Sequence, residues 1–389
     1  MKQYVPRQLS FQVDNVLLVV CVSLLLIGFV MVTSASLHLG TKITGSMSHY
    51  PIRQLIHIGL GLFFAGLTLT VPMQRWEQIN STLFIASLAL LLIVLVPGLG
   101  VKVNGSVRWL SIAGLRIQVS EVTKACAVIY MAGYITRHYK NIQQSAFGVF
   151  KPLLLFMVAS VLLLMEPDFG SAVVILIIAM GTLFLAGARL GQFAILLSLV
   201  TAAAAFLVYF SPYRLVRVTS FIDPWADPLN KGFQLVQALI SFGRGEWLGV
   251  GLGSGVQKLF YLPEAHTDFL FSVIAEELGL LGVVTVISLF SVLIWRAFFI
   301  AGLAEQAGQK FSAYIAYGLG IWFGFQTFVN IGVNMGILPT KGLTLPLMSY
   351  GGGSMIVMCV AMALLFRVYA EAVEVIASIP KGKRQWHSG

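Results

Sequence analysis

The sequence predicts an all-α, polytopic membrane protein with about ten transmembrane helices and one long extracytoplasmic loop between the seventh and eighth. Hydrophobic residues make up 58% of the 389 and charged residues only 10%, whereas charged residues form about a quarter of a typical soluble domain. The apolar residues also fall in runs of about 20, the length that spans a bilayer as a helix. A formal net charge of +10 would suit nucleic acid in a soluble protein. Here the basic residues flank apolar runs, so positive-inside bias and anionic lipid head groups account for it without nucleic acid. Cys21, Cys126 and Cys359 each sit singly inside apolar runs, which leaves no disulfide framework or metal knuckle.

The chain opens on a cytoplasmic tail, residues 1–14, holding Lys2 and Arg7. The first apolar run, Val16 to Val32, is longer than the ~7–15-residue core of a signal peptide and is followed by further spans, so it reads as an uncleaved anchor. Helices are expected at 15–35, 54–73, 81–98, 120–137, 152–167, 170–187 and 190–210. After a loop at 211–267 come 268–297, 312–337 and 345–370, then a cytoplasmic tail at 371–389. Glu121 and Lys124 enter the fourth helix, and Gly351-Gly352-Gly353 interrupts the tenth. An even count puts both termini on one side, and Lys2, Arg7, Lys381, Lys383 and Arg384 assign that side to the cytoplasm. A loop as long as 211–267 is usually functional or disordered. Its Phe221, Trp225, Phe233, Phe242 and Trp247 oppose disorder, and Phe233 to Phe242 is expected to form a short interfacial helix.

Chemistry-capable residues concentrate between Tyr261 and Gly279, which carries Glu264, His266, Asp268, Glu276 and Glu277. An ionisable group at membrane depth is costly, so it marks a candidate functional site. Pro263, Thr267 and Asp268 also read as a helix start in which Thr267 or Asp268 caps the first turn. Glu264, His266 and Asp268 thus have two readings, a general base at a water-accessible mouth or a cap among solvated charges. The deeper glutamates favour the first. Glu276 and Glu277 project about 100° apart on a helix and cannot form one dyad; each is expected to bond a basic or polar group on a neighbouring helix.

Glu121 and Lys124, three apart, share a helix face. They form an internal ion pair, or one of them meets an anionic ligand or holds Asp268. Arg108, Arg217, Arg244, Lys258 and Lys341 lie near helix ends, where guanidinium forks and ammonium groups suit phosphate. Solvated loop charge explains most of these as well; Lys341 stands out because it sits in the rigid turn from Gly336 to Pro346. The Gly351-Gly-Gly-Ser354 run is read as close helix packing. With no P-loop, dinucleotide fingerprint, HExxH or CxxC, nucleotide hydrolysis and zinc chemistry lack support.

Seven strings make the pattern more specific. They are Met31-Val-Thr-Ser-Ala-Ser36, Gly105-Ser-Val-Arg-Trp-Leu110, Glu166-Pro-Asp-Phe-Gly170, Arg217-Val-Thr-Ser-Phe-Ile-Asp-Pro-Trp225, Phe242-Gly-Arg-Gly245, Tyr261-Leu-Pro-Glu-Ala-His-Thr-Asp268, and Pro339-Thr-Lys-Gly-Leu-Thr-Leu-Pro346 with Ser349-Tyr-Gly-Gly-Gly-Ser354. In this order and over the whole length, the chain resembles the SEDS family (shape, elongation, division and sporulation), most closely its cell-division branch. It departs from the family at Gln118-Val119-Ser120-Glu121, where a proline usually precedes the small residue. The resemblance implies a ten-helix peptidoglycan glycosyltransferase of the bacterial inner membrane that polymerises lipid II on the outer face at the division septum.

It also implies that Asp268 is the catalytic carboxylate, drawing a proton from the acceptor sugar hydroxyl as polyprenyl diphosphate leaves. Substrate contacts are then expected from Glu121, Lys124, Arg108, Arg217, Lys258, Glu264, His266 and Lys341. A divalent cation, Mg or Mn, is a further way to steady the leaving diphosphate, with no nucleotide or organic cofactor. Implied partners are a class B penicillin-binding protein that supplies the transpeptidase, other division-complex proteins and membrane lipids. The competing readings are a lipid II flippase and a non-catalytic division scaffold. A flippase would need polar residues threading to the cytoplasmic side, whereas these gather at one face and no internal repeat is visible.

Overall fold

The computed structural model describes residues 12–103, 106–112, 115–340 and 342–378. The first three helices are α1 (Asn15–Thr44), α2 (His49–Thr70) and α3 (Met73–Leu95). Asp14 caps α1 by accepting from the Leu17 amide (2.9 Å), and its other oxygen is bound by Arg296. A small antiparallel sheet then forms from β1 (Gly100–Val103), β2 (Ser106–Ile112) and β3 (Leu115–Gln118), with Trp109 opposite both Val101 and Gln118. β3 runs without a break into α4 (Val119–Gln144). Then come α5 (Ala146–Met165), α6 (Phe169–Leu185), α7 (Leu190–Tyr209), the shorter α8 (Pro212–Ile222) and α9 (Phe233–Gly245), and finally α10 (Leu270–Gln306), α11 (Lys310–Asn334) and α12 (Gly352–Ser378).

Among the described residues, α1, α2, α3, α10, α12 and the 147–165 part of α5 are long and apolar enough to cross a membrane. The protein is therefore a multi-pass membrane protein. Large apolar side chains such as Val19, Leu26, Phe63 and Leu154 face outward on these helices. Every backbone group in lipid must be satisfied internally, which a helix does within itself. α4 and α11 run through the middle, packed on each other and on α6, and carry buried polar side chains. α12 lies along α2, and α10 lies against α1, α9 and α11.

Several elements differ from the sequence expectation. Residues 100–103, 106–112 and 115–118, expected as part of a connection, form the sheet. α2 begins at His49, five residues before the expected 54, with Pro51 in its first turn, where the missing amide costs nothing. The expected helix at 345–370 begins at Gly352 and reaches Ser378, because residues 345–351 form a turn. The predicted amphipathic helix appears as α9. Lys2, Arg7, Lys341, Lys381, Lys383 and Arg384 lie outside the described residues.

Two glycines decide how the bundle closes at the end that carries Asp268. Gly279 interrupts α10 at φ 61°, ψ −160°, a conformation that glycine adopts without a Cβ penalty. The backbone groups freed there bond the chain after α9: Leu280 and Leu281 amides donate to the Glu246 and Trp247 carbonyls (2.9 and 3.2 Å), and Val250 and Gly251 amides donate to the Glu276 and Glu277 carbonyls (3.0 and 3.1 Å). Gly353 lets β3 lie directly on the start of α12, since a Cβ there would stand 2.8 Å from the Gln118 nitrogen and 2.9 Å from Ile117 Cα. Gly353→Val is accordingly expected to destabilise the protein by about 1–3 kcal/mol through overpacking. Gly59→Val, where nothing lies within 4 Å of the added carbon, should leave thermal unfolding in detergent unchanged or raise it.

Candidate functional site

The site forms where the 259–269 segment enters α10. The helix begins at Leu270 with Phe269 at the N-cap, whose side chain makes no capping bond. Asn334 from α11 caps instead: its Oδ1 accepts from the Ser272 amide (3.1 Å) and hydroxyl (2.7 Å). Thr267, the other expected cap, turns back and donates to Glu264 Oε2 (2.9 Å). The mouth is thus held by asparagines. Asn330 and Asn334 donate to the Asp268 carbonyl at 2.9 and 3.0 Å, and Asn330 also donates to the Leu343 carbonyl at 2.6 Å. The segment carrying Asp268 is in this way stapled to the turn before α12 through backbone. Its half-buried carboxylate lies over Gly342, where a Cβ would stand 3.0 Å from Oδ2.

The same face of α11 reaches the Glu121–Lys124 pair. Lys124, fully buried, donates to Glu121 Oε1 (2.6 Å) and to Gln326 Oε1 (2.9 Å). Gln326 also accepts from the Trp322 indole (2.8 Å) and donates to the Thr344 carbonyl (2.9 Å). Gln326, Asn330 and Asn334 therefore form one ladder at i, i+4, i+8, joining the ion pair, the 343–344 turn and Asp268. These three amides were missed as site residues, although amides repeating every fourth position in an apolar helix are a readable signal. Among the described residues, the remaining Glu121 oxygen is buried and has no hydrogen-bond partner.

The other expected contacts divide. His266 sits at the mouth with its ring against Tyr50 and Tyr350 (centroids 5.0 and 5.5 Å), and its carbonyl accepts from the Tyr350 amide (3.0 Å). Burial lowers its pKa, with Glu264 pulling the other way. Lys258 is buried and bonded to Glu277 (2.5 Å) and the Ser34 hydroxyl (2.7 Å). Arg244 pairs with Glu276 (3.2 Å). The two glutamates also accept from the Gly253, Val256 and Gln257 amides. Each glutamate thus finds its partner on a neighbouring helix, Arg244 of α9 for Glu276 and Ser34 of α1 for Glu277, and Lys258 from the loop after α9 joins Glu277 as its cation.

Arg108, on β2, donates to the Glu166 and Pro167 carbonyls (3.1 and 2.5 Å), clamping the turn between α5 and α6. Arg217 lies on α8. Beside the Leu343 turn is an apolar cavity of about 150 Å³ lined by Phe169, Val329, Leu338 and Pro339 among others. A larger hollow of about 380 Å³, around Met73 and Glu371, lies at the opposite end of the bundle. A divalent cation at the mouth would meet Glu264 and Asp268. Among the described residues no three His, Cys, Asp or Glu side chains gather as ligands.

The chain matches the model of the cell cycle protein family of FtsW, RodA and SpoVE over residues 15–374. It is 64% identical over 373 residues to the probable peptidoglycan glycosyltransferase FtsW of Methylomonas methanica, covering 96% of each chain. It is 60% identical to the probable peptidoglycan glycosyltransferase FtsW of Methylococcus capsulatus, covering 93% of this chain and 91% of that one. Among solved structures, it resembles a chain from a peptidoglycan synthase complex that coordinates polymerization and crosslinking (TM-score 0.75, 30% identity, 92% and 98% coverage). It also resembles the rod shape determining protein RodA of Thermus thermophilus (TM-score 0.68, 28% identity, 92% and 97% coverage).

Removing the cation beside a buried carboxylate leaves an uncompensated charge. Lys258→Met should cost about 3–5 kcal/mol, and Lys258→Met with Glu277→Gln should recover most of it in unfolding of the solubilised chain. A second expectation concerns Glu166, whose carboxyl oxygens are buried and, among the described residues, have no hydrogen-bond partner. Burial first, then the Asp168 charge, pushes its pKa from 4.5 up to about 8, against the pull of Arg108. A raised carboxyl pKa means the neutral form is the folded form, so its contribution is complete below pH 4.5 and is lost as pH rises through about 8. The thermal midpoint should therefore fall between those values, and Glu166→Gln should flatten that fall.

Proposed function

Because the chain belongs to the cell cycle protein family of FtsW, RodA and SpoVE, we propose that its peptidoglycan glycosyltransferase reaction uses Asp268 as the general base. The chain is a peptidoglycan glycosyltransferase of cell-wall synthesis in division. Its substrate in this reading is lipid II. The acceptor sugar hydroxyl gives its proton to the Asp268 carboxylate as its oxygen bonds the anomeric carbon of the donor. The bond from that carbon to the diphosphate oxygen breaks, and polyprenyl diphosphate leaves with the electron pair. A base serves here when it stands about 2.6–3.2 Å from the hydroxyl, directly or through one water. The diphosphate already carries charge, so cations rather than an acid steady it.

The observation that supports this reading is how Asp268 is held. Asn330 and Asn334 bind its carbonyl and Asn334 caps the helix, so the acid is oriented without using its carboxylate as the cap. The burial of Lys124 and Glu121 fits a positioning role for that pair through Gln326 and the 343–344 turn. Membrane placement follows the same logic. Ten long helices cross the inner membrane, both termini lie in the cytoplasm, and the 211–267 segment and the Asp268 mouth lie outside. The lipid tail then stays in the bilayer while the head group reacts beyond it. The partner in this reading is a class B penicillin-binding protein.

Asp268→Asn should lower polymer formation by about 10²–10⁴-fold, the usual worth of a positioned base, while leaving lipid II binding intact. Incubation of the purified full chain and its transpeptidase partner with lipid II measures this; polymer at the wild-type rate would overturn the assignment.

A further inference from the structure

The hollow at the end of the bundle away from Asp268 stands outside the transfer reaction. It holds about 380 Å³ and is lined by Gln74 and Glu77 of α3, Gln309 and Ser312 at the start of α11, and Glu371 of α12 among others. Glu371 accepts through one oxygen, Oε1, from the Met73 amide (3.0 Å) and the Arg367 guanidinium (2.7 Å). Glu77, partly buried, joins no ion pair among the described residues. The side-chain oxygen of Gln309 is buried and, among the described residues, has no hydrogen-bond partner. Lys310 also lines the hollow, but its ammonium lies over the Tyr139 ring, 4.1 Å from the centroid.

The groups left to a ligand here are acceptors. Two carboxylates and an amide oxygen around one hollow suit a cation with several N–H donors, an ammonium or a guanidinium. The starts of α3 and α11 would alone favour an anion, but Glu371 already meets the first amide of α3 with a carboxylate of this chain. A basic segment lies close by in the same sequence. Beyond Glu371, α12 exposes Glu374 and ends at Ser378. Residues 379–389, outside the described residues, include Lys381, Lys383 and Arg384. Ser378 stands about 10 Å past Glu371 at about 1.5 Å rise per residue. The five or six residues from there to Lys383 or Arg384 span up to about 16–21 Å when extended, enough to return to the hollow.

We propose that this hollow is a docking site for the chain's own 379–389 segment, with Glu77, Glu371 and the Gln309 oxygen receiving the ammonium of Lys383 or the guanidinium of Arg384. A tether this short supplies the segment at an effective concentration on the order of millimolar, which favours it over a basic segment of a free partner. Arg367 and Glu371 already hold the turn between α2 and α3, through the Leu69 carbonyl and the Met73 amide. The docked segment extends that clamp to the start of α11. The inference does not depend on the glycosyltransferase reading.

Disulfide formation between Gln74→Cys and Gln385→Cys in the full chain, oxidised in isolated membranes and read by mass spectrometry of the linked fragments, tests it. The native Cys21, Cys126 and Cys359 are buried and are kept. The internal disulfide should form readily, and adding Glu77→Lys should slow it about tenfold or more. Sodium chloride raised to about 0.5 M should slow it as well. Combining Glu77→Lys with Lys383→Glu and Arg384→Glu should restore most of the rate, a recovery that a folding defect at Glu77→Lys would not permit. An unchanged or faster rate in Glu77→Lys, a rate indifferent to salt, no recovery in the charge swap, or a disulfide joining two chains in place of the internal one would each overturn the proposal.

Discussion

Two carboxylates buried about two turns into α10 dictate where the chain after α9 must go. Glu276 and Glu277 are fully buried, and a buried charge is tolerated only when paired and hydrogen-bonded. Arg244, Lys258, Ser34 and three backbone amides supply those partners. The 244–258 segment is therefore a fitted plug rather than a free loop. It also bonds the backbone laid open where Gly279 breaks α10. The residues that follow, 259–269, begin from a fixed point and so deliver Asp268 to a fixed place.

At that place the side chains of α11 do the holding. Gln326, Asn330 and Asn334 are neutral amides, each able to donate and accept at once. They satisfy carbonyls of the 268 and 343–344 segments, which have no regular secondary structure to pair with. Backbone and amides fix the carbonyl of the acid. Lys124 sits under the 344 turn through Gln326, so the buried ion pair acts on the mouth by way of the same ladder.

The membrane class and most of the long helices were legible because apolar runs of bilayer length are unambiguous in lipid. Asp268, with Glu264 and His266 beside it, was legible because ionisable residues stand out against such runs. The sheet was not, although Val101, Val103, Val107 and Trp109 alternate with polar residues around Asn104-Gly105, a strong hairpin signal. A search tuned to twenty-residue runs passes over strands this short. Lys258 and Arg108 were read as phosphate contacts because charge near a helix end looks the same whether it meets solvent, a ligand or a buried carbonyl.

β3 passes into α4 with no intervening residue, and Glu121 is the third residue of that helix. A junction without a hinge has no slack. Among the described residues, β1, at the outer margin of the sheet, has one side unoccupied by any strand, the kind of border on which another polypeptide can add itself. Whatever pairs with that border adds to a sheet whose last strand is continuous with the helix that carries Glu121.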